Sequence, residues 1–227
     1  MKRTVAVLVD APIPGKVQTK LCPPLDAESA ARIHESFICD TLERISSIPD
    51  AEIVIYYNQP GALSILSKVA LDSKQYLRQK GKSTEQKIHY CFERLCEPHR
   101  GVIFTWTNSP TLPVRSFELA FDALASGEID IVLGPADDGG CYLIGSICSN
   151  HNHVCGIESS ALHNVQNAIE NAARLGLRWY LLPNWYVVRQ PESLYRLKNE
   201  LLEMPNKCYV PNRTKSCILE LVDRHII

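Results

Sequence analysis

The stretch GPADDGGCYLIG (134–145) sets two carboxylates beside two glycines and then returns at once to an apolar run. Asp137 and Asp138 can hold a polar ligand or accept a proton, with Asp138 the first candidate for a general base. Gly139 and Gly140 let a ligand approach the backbone closely and permit dihedrals closed to other residues. The plainer reading is a tight turn into CYLIG. A second loop, DAPIPGKVQTKL (10–21), joins stiff prolines to Gly15, Lys16, Thr19 and Lys20. Exposed amides next to ammonium groups can neutralise a diphosphate. The order G-x-x-x-x-G-K-[ST] of a P-loop is absent, and a proline-stiffened surface loop accounts for the segment equally well. His151, His153 and Cys155 offer three soft ligands from one extended segment, although the polar run SNHNHVCG reads more simply as a surface loop.

These loops need elements to hold them. TVAVLV (4–9) reads as a strand buried on both faces, EIVIYY (52–57), GVIFTW (101–106) and IDIVLG (129–134) as the next three strands, and RWYLLP (178–183) as a further strand. Between them lie helical patterns: a helix capped by Asp26 and running to about Ile45, then segments over 62–71, 84–96 (capped by Ser83) and 114–125. The helix over 163–176 ends at a glycine, and another begins at Pro191. The alternation of strand and helix calls for an α/β fold with a mostly parallel sheet covered by helices, in one domain over 1–227. In such sheets ligands lie beyond the carboxyl ends of the strands. The loops at 10–21, 107–113 and 134–140 all fall there.

Lysine plus arginine number 24 against 25 for aspartate plus glutamate, so no strong field points to nucleic acid or an anionic membrane. No segment reaches the roughly 20 apolar residues of a membrane span, and the amino end breaks off before a signal core is complete. A cytoplasmic protein with a small-molecule ligand is the expectation. Nine cysteines cannot all pair, and none forms Cys-x-x-Cys, so most are expected as reduced, buried thiols.

The order of APIPGKVQTKL, NSPTLP, GPADDGGCYLIG, NWYVVRQPESL and VPNRT resembles the GT-A-like glycosyltransferase family often encoded beside radical-SAM enzymes, including members assigned to arsenosugar biosynthesis. More distantly it resembles the guanylyltransferases of molybdopterin and phospholactate. The resemblance covers nearly the whole chain. It implies a Rossmann-like GT-A fold, a mixed and mostly parallel sheet, with a nucleotide-diphosphate-sugar site at its carboxyl edge. Ala11, Pro12, Gly15, Lys16, Thr19 and Lys20 would wrap the nucleotide and its phosphates, and Asn108 and Ser109 would stand near the diphosphate. Asp137, Asp138, Gly139, Gly140 and Tyr142 would shape the sugar and acceptor side.

Departures from the family pattern bear on the chemistry. Asp10 replaces a usual lysine, Asn108 a usual aspartate, and Val187 and Arg189 the two acidic positions of Trp-x-Asp-Val-Asp-x-Pro. A divalent ion bridging phosphates needs one or two protein carboxylates, so Mg or Mn is the disfavoured alternative and no metal ligand is assigned. Arg189 instead offers fixed positive charge to phosphate. The leading expectation is transfer of a sugar from a nucleotide-diphosphate donor to a small hydroxyl-bearing acceptor. A non-catalytic nucleotide- or partner-binding protein on the same fold is the alternative, and nucleotidyl transfer is the third.

Overall fold

A computed structural model of the chain describes residues 1–59, 63, 66, 67, 75–82, 84–95, 97–148, 164–203 and 209–227. Seven strands form one sheet: β1 (Lys2–Val9), β2 (Ala51–Tyr57), β3 (Gln75–Arg78), β4 (Arg100–Trp106), β5 (Ile131–Pro135), β6 (Cys141–Ile147) and β7 (Trp179–Leu181). Their order is β3-β2-β1-β4-β6-β5-β7, with β6 antiparallel to β4 and β5 and every other pair parallel. The helices are α1 (Ala27–Ile45), α2 (Thr84–Leu95), α3 (Val114–Ala125), α4 (Val165–Arg174), α5 (Pro191–Glu203) and α6 (Asn212–Asp223).

Of the strands expected from the sequence, β1, β4 and β5 are buried on both faces over most of their length. On β1, Val5, Val7 and Val9 pack into a core with Phe117 and Phe121 of α3 and Leu42 of α1. Ala6 and Leu8 point the other way, into a core with Ile88 and Phe92 of α2. Asp26 caps α1 by accepting a 2.7 Å hydrogen bond from the Ser29 amide, and Asn164 caps α4 in the same manner. The helix expected over 62–71 falls on residues of which only Leu63, Leu66 and Ser67 are described, and Ser83 and the His151-His153-Cys155 stretch lie outside the described residues. β3 and α6 are additions to the expected elements. At the far edge of the sheet, Trp179, Tyr180 and Leu181 are all exposed.

A third core lies beside the sheet. Ile33 and Phe37 of α1 meet Leu194, Leu197 and Leu201 of α5 and Ile218 and Leu221 of α6, with Leu21, Tyr186 and Val188 between them. Its anchor is Asp40, fully buried on α1, whose carboxylate accepts from the amides of Arg213 (3.3 Å) and Thr214 (2.7 Å) at the start of α6. Burial raises the Asp40 pKa above its ordinary value, and the two amide donors act against that rise. The carboxylate thus caps a helix more than 170 residues away in sequence. Arg44, one turn further along α1, lies over the Tyr209 ring at 3.9 Å and donates to the Leu112 carbonyl, tying the same helix to the loop after β4.

Loss of the Asp40 side chain should therefore release α6. Asp40→Ala is expected to lower stability by about 1–2 kcal/mol, as for loss of a helix cap, while Asp40→Asn, which keeps an acceptor oxygen, stays closer to the parent. Urea midpoints at constant slope provide the measurement; an Asp40→Ala midpoint equal to the parent's would remove the cap from the account.

Candidate functional site

Because β6 returns antiparallel between β4 and β5, the chain reverses at the carboxyl edge of the sheet within residues 136–140. The Ala136 amide donates to the Gly140 carbonyl at 2.8 Å, and Gly139 has φ +88°, a conformation that a side chain would strain. One oxygen of Asp138 accepts from the Gly140 amide at 3.1 Å. The turn read from the sequence is present. The carboxylates nevertheless face outward from it, into a cleft of about 330 Å³ whose opposite wall is the segment from Tyr186 to Arg196.

Two arginines on that wall meet the two aspartates. Arg189 Nη1 lies 2.5 Å from the second oxygen of Asp138, and both side chains are about two-thirds buried. Arg196 pairs with Asp137, which also accepts from the Asn184 amide at 3.1 Å. The Arg196 guanidinium stacks 4.2 Å above the Tyr186 ring, and the Tyr186 hydroxyl donates to Glu200 while accepting from Thr111 at 3.1 Å. Burial and the Glu200 carboxylate raise the Tyr186 pKa far above the ordinary phenol value, so its hydroxyl stays a donor. Arg189 lies in the non-helical segment before α5 and Arg196 in its second turn, and both line the cleft. Arg196 carried no motif of its own in the sequence, only its place on the helix that begins at Pro191.

The loop after β4 is bound to this wall. The Val188 amide donates to the Asn108 carbonyl at 2.7 Å, and the Ser109 hydroxyl to the Tyr186 carbonyl at 2.9 Å. Asn108 and Ser109 thus brace the 185–189 segment, with the Ser109 hydroxyl buried in doing so. Tyr142 lies beneath the cleft: its ring is buried against Gly134, where an added Cβ would come within 2.5 Å, and its hydroxyl donates to the Pro183 carbonyl at 2.9 Å. Its contribution is to support the turn. Cys141 is buried too, and burial together with the nearby Asp138 charge raises its thiol to about 12, which keeps it protonated.

The first-strand loop occupies the same edge. Ala11 is buried in the sheet core, Pro12 is half-buried, and Gly15, Lys16, Thr19 and Lys20 are exposed. Lys16 and Lys20 are not among the residues lining the Asp137–Asp138 cleft. The loop is held from below by His34 of α1, whose Nε2 donates to the Asp10 carbonyl at 3.0 Å and whose Nδ1 accepts from Gln18 at 3.2 Å. This fixes a neutral imidazole in one tautomer. Gln18 itself takes the left-handed φ of 49°.

The carboxylate pair suits a divalent cation poorly, since each aspartate already carries a guanidinium that the ion would have to displace. Among the described residues no group of three or more His, Cys, Asp or Glu side chains is arranged to hold a metal ion. No described helix is long and apolar enough to cross a membrane.

Comparison with known proteins agrees with this architecture. The family model described as "uncharacterized protein conserved in bacteria (DUF2064)" matches residues 41–161, just over half of the chain. A Desulfovibrio desulfuricans G20 protein described provisionally as a nucleotide-diphospho-sugar transferase superposes with a TM-score of 0.82 at 23% identity, covering 99% of this chain and 96% of its own. A cytidylyltransferase from Leptospira borgpetersenii gives 0.65 at 13% identity, over 99% and 95% of the two chains. A CMP:2-keto-3-deoxy-manno-octonic acid synthetase complexed with CTP gives 0.62 at 8% identity, over 90% and 100%. At these identities the likeness establishes the fold. No curated protein matches the sequence.

The buried His34 generates a pH dependence. Burial holds its pKa below the ordinary 6.5, so on acidification the unfolded chain takes up the proton first. Its contribution to stability is full above pH 6.5 and is lost as pH falls from there toward the lower folded-state value. Urea midpoints measured between about pH 7 and pH 5 should fall more steeply for the parent than for His34→Gln. Parallel curves would assign the imidazole no linkage to folding.

Proposed function

We propose that this chain, which belongs to the DUF2064 family, is a nucleotide-diphosphate-dependent transferase that passes a sugar to a small hydroxyl-bearing acceptor. The observation that carries the reading is the paired cleft at the carboxyl edge of the sheet, Asp138 with Arg189 and Asp137 with Arg196. A donor diphosphate competes with Asp138 for the Arg189 guanidinium, which binds phosphate oxygens through parallel N–H groups. Once released, Asp138 can accept the proton of the acceptor hydroxyl. That oxygen attacks the anomeric carbon of the sugar, the bond to the diphosphate breaks, and Lys16, Lys20 and Arg189 neutralise the departing charge. Asn108 and Ser109 hold the Arg189 segment in place.

Two other readings have specific support. The Leptospira cytidylyltransferase and the CTP-bound synthetase share the fold and favour nucleotidyl transfer. The arginine on each aspartate favours a binding protein without chemistry, because each carboxylate already accepts from a guanidinium. Incubation of nucleotide sugars and, separately, of nucleoside triphosphates with acceptors separates the three: free nucleoside diphosphate from a nucleotide sugar marks glycosyl transfer, pyrophosphate from a triphosphate marks nucleotidyl transfer, and binding alone marks the module.

With the donor known, Asp138→Asn is expected to lower transfer roughly 10²- to 10⁴-fold while donor affinity persists, since the amide keeps the shape but accepts no proton near neutral pH. Near-normal transfer would return Asp138 to the turn alone. The double variant Lys16→Ala with Lys20→Ala is expected to weaken diphosphate binding at unchanged melting temperature, as read by calorimetry. Chelation should change neither rate nor affinity appreciably; a large loss restored by Mg or Mn would overturn the metal-independent reading.

A further inference from the structure

A second cavity, of about 190 Å³, opens on the same edge where β1, β3 and β4 end, and it is lined by Leu8, Asp10, Gln79, Lys87 and Trp106. It sits at the point of the sheet where the connections from β1 diverge, β2 lying on one side and β4 on the other. Its volume is below the ~300–1,000 Å³ that houses a whole drug-sized ligand, so it suits one ring system. Trp106 offers an aromatic wall on which a ring can stack. The polar groups are of unusual composition for a ring pocket: a carboxylate from the end of β1 and an ammonium from α2.

The carboxylate is firmly placed. Asp10 accepts from the Asn58 amide through Oδ1, and its own carbonyl is held by His34. Gln79, buried, is fixed by its amide nitrogen donating to the Tyr56 carbonyl at 2.7 Å. A carboxylate only accepts, with about four lone-pair sites, and an ammonium only donates. The ring that satisfies both must show adjacent N–H donors on one edge and acceptors on another.

We infer that this cavity reads guanine, with Asp10 accepting from the N1–H and 2-amino edge, Lys87 donating to O6 or N7, and Trp106 stacking on the ring. Other bases meet the carboxylate with an acceptor: uracil flanks its single N–H with two carbonyl oxygens, while adenine and cytosine place a bare ring nitrogen beside the amino group. Each such encounter sets like partial charges together, which rejects the wrong base as well as favouring the right one. The inference rests on the proposed use of a nucleoside diphosphate and names its base. β1 and β5 lie three strand positions apart in the sheet, about 14 Å, so a base over β1 leaves its diphosphate directed toward the Arg189 cleft.

The test is calorimetric affinity for GDP, IDP, ADP, UDP and CDP. IDP differs from GDP only in lacking the 2-amino group, so this pair probes the carboxylate contact without any substitution in the protein. GDP is expected to bind tightest, with a preference over IDP of about tenfold or more, the usual effect of a hydrogen bond to a charged group. Asp10→Asn should bring GDP and IDP to near equality at unchanged melting temperature. Equal GDP and IDP affinities in the parent protein, or a GDP preference that survives Asp10→Asn, would overturn the assignment. Tighter binding of ADP, UDP or CDP would overturn the base while leaving the transferase reading intact. Failure of all five to bind would overturn both.

Discussion

The reversal between β5 and β6 decides where the two aspartates and their cleft lie. A parallel strand inserted between β4 and β5 would have needed a crossover helix. An antiparallel one instead forces the chain to turn at the carboxyl edge within a few residues. Gly139 supplies the left-handed backbone, and Asp138 closes the turn on the Gly140 amide. The same geometry directs the remaining carboxylate oxygens away from the sheet. Turn and carboxylates are thus one piece of backbone: the tight turn is present, and it presents Asp137 and Asp138 to the cleft.

Facing that turn, the wall from Tyr186 to Arg196 is positioned by contacts that carry no charge of their own. The Val188 amide on the Asn108 carbonyl and the Ser109 hydroxyl on the Tyr186 carbonyl hold the segment at two points, two residues apart. The Tyr186 ring then supports Arg196 from below. The guanidinium groups of Arg189 and Arg196 thus reach the two aspartates from a braced backbone.

Much of this was legible in the sequence, and the limits follow from distance. β1 and β4 were readable because unbroken β-rich apolar runs leave few alternatives to a strand covered on both faces. β3 was not, since QYLR is four residues long and partly exposed, with no period to detect. α6 escaped because its first turn carries no capping side chain of its own; the cap is Asp40, brought from α1 by the fold. Within the site, Asp137, Asp138 and Arg189 stood out by type and position. Asp10 registered only as a lost lysine, because the cavity that gives it meaning is assembled from the ends of three strands and a helix.

The cleft also lies on a seam between packing units. Its aspartates ride on the β5–β6 turn, rooted in the sheet, while Arg189 lies just before α5 and Arg196 on it, and α5 packs into the third core with α1 and α6. Proteins open locally along such divisions, each contiguous unit with its own free energy. The two halves of the charge pairs are therefore carried by segments whose apolar side chains are buried in separate clusters, while the backbone bonds from Trp185 and Val188 tie the wall to the sheet. A cavity made at Leu197 or Leu201, both fully buried in the third core, would loosen the helix that carries Arg196 without removing any contact of the β5–β6 turn. Apolar packing remote from the cleft thus bears on how its ion pairs meet.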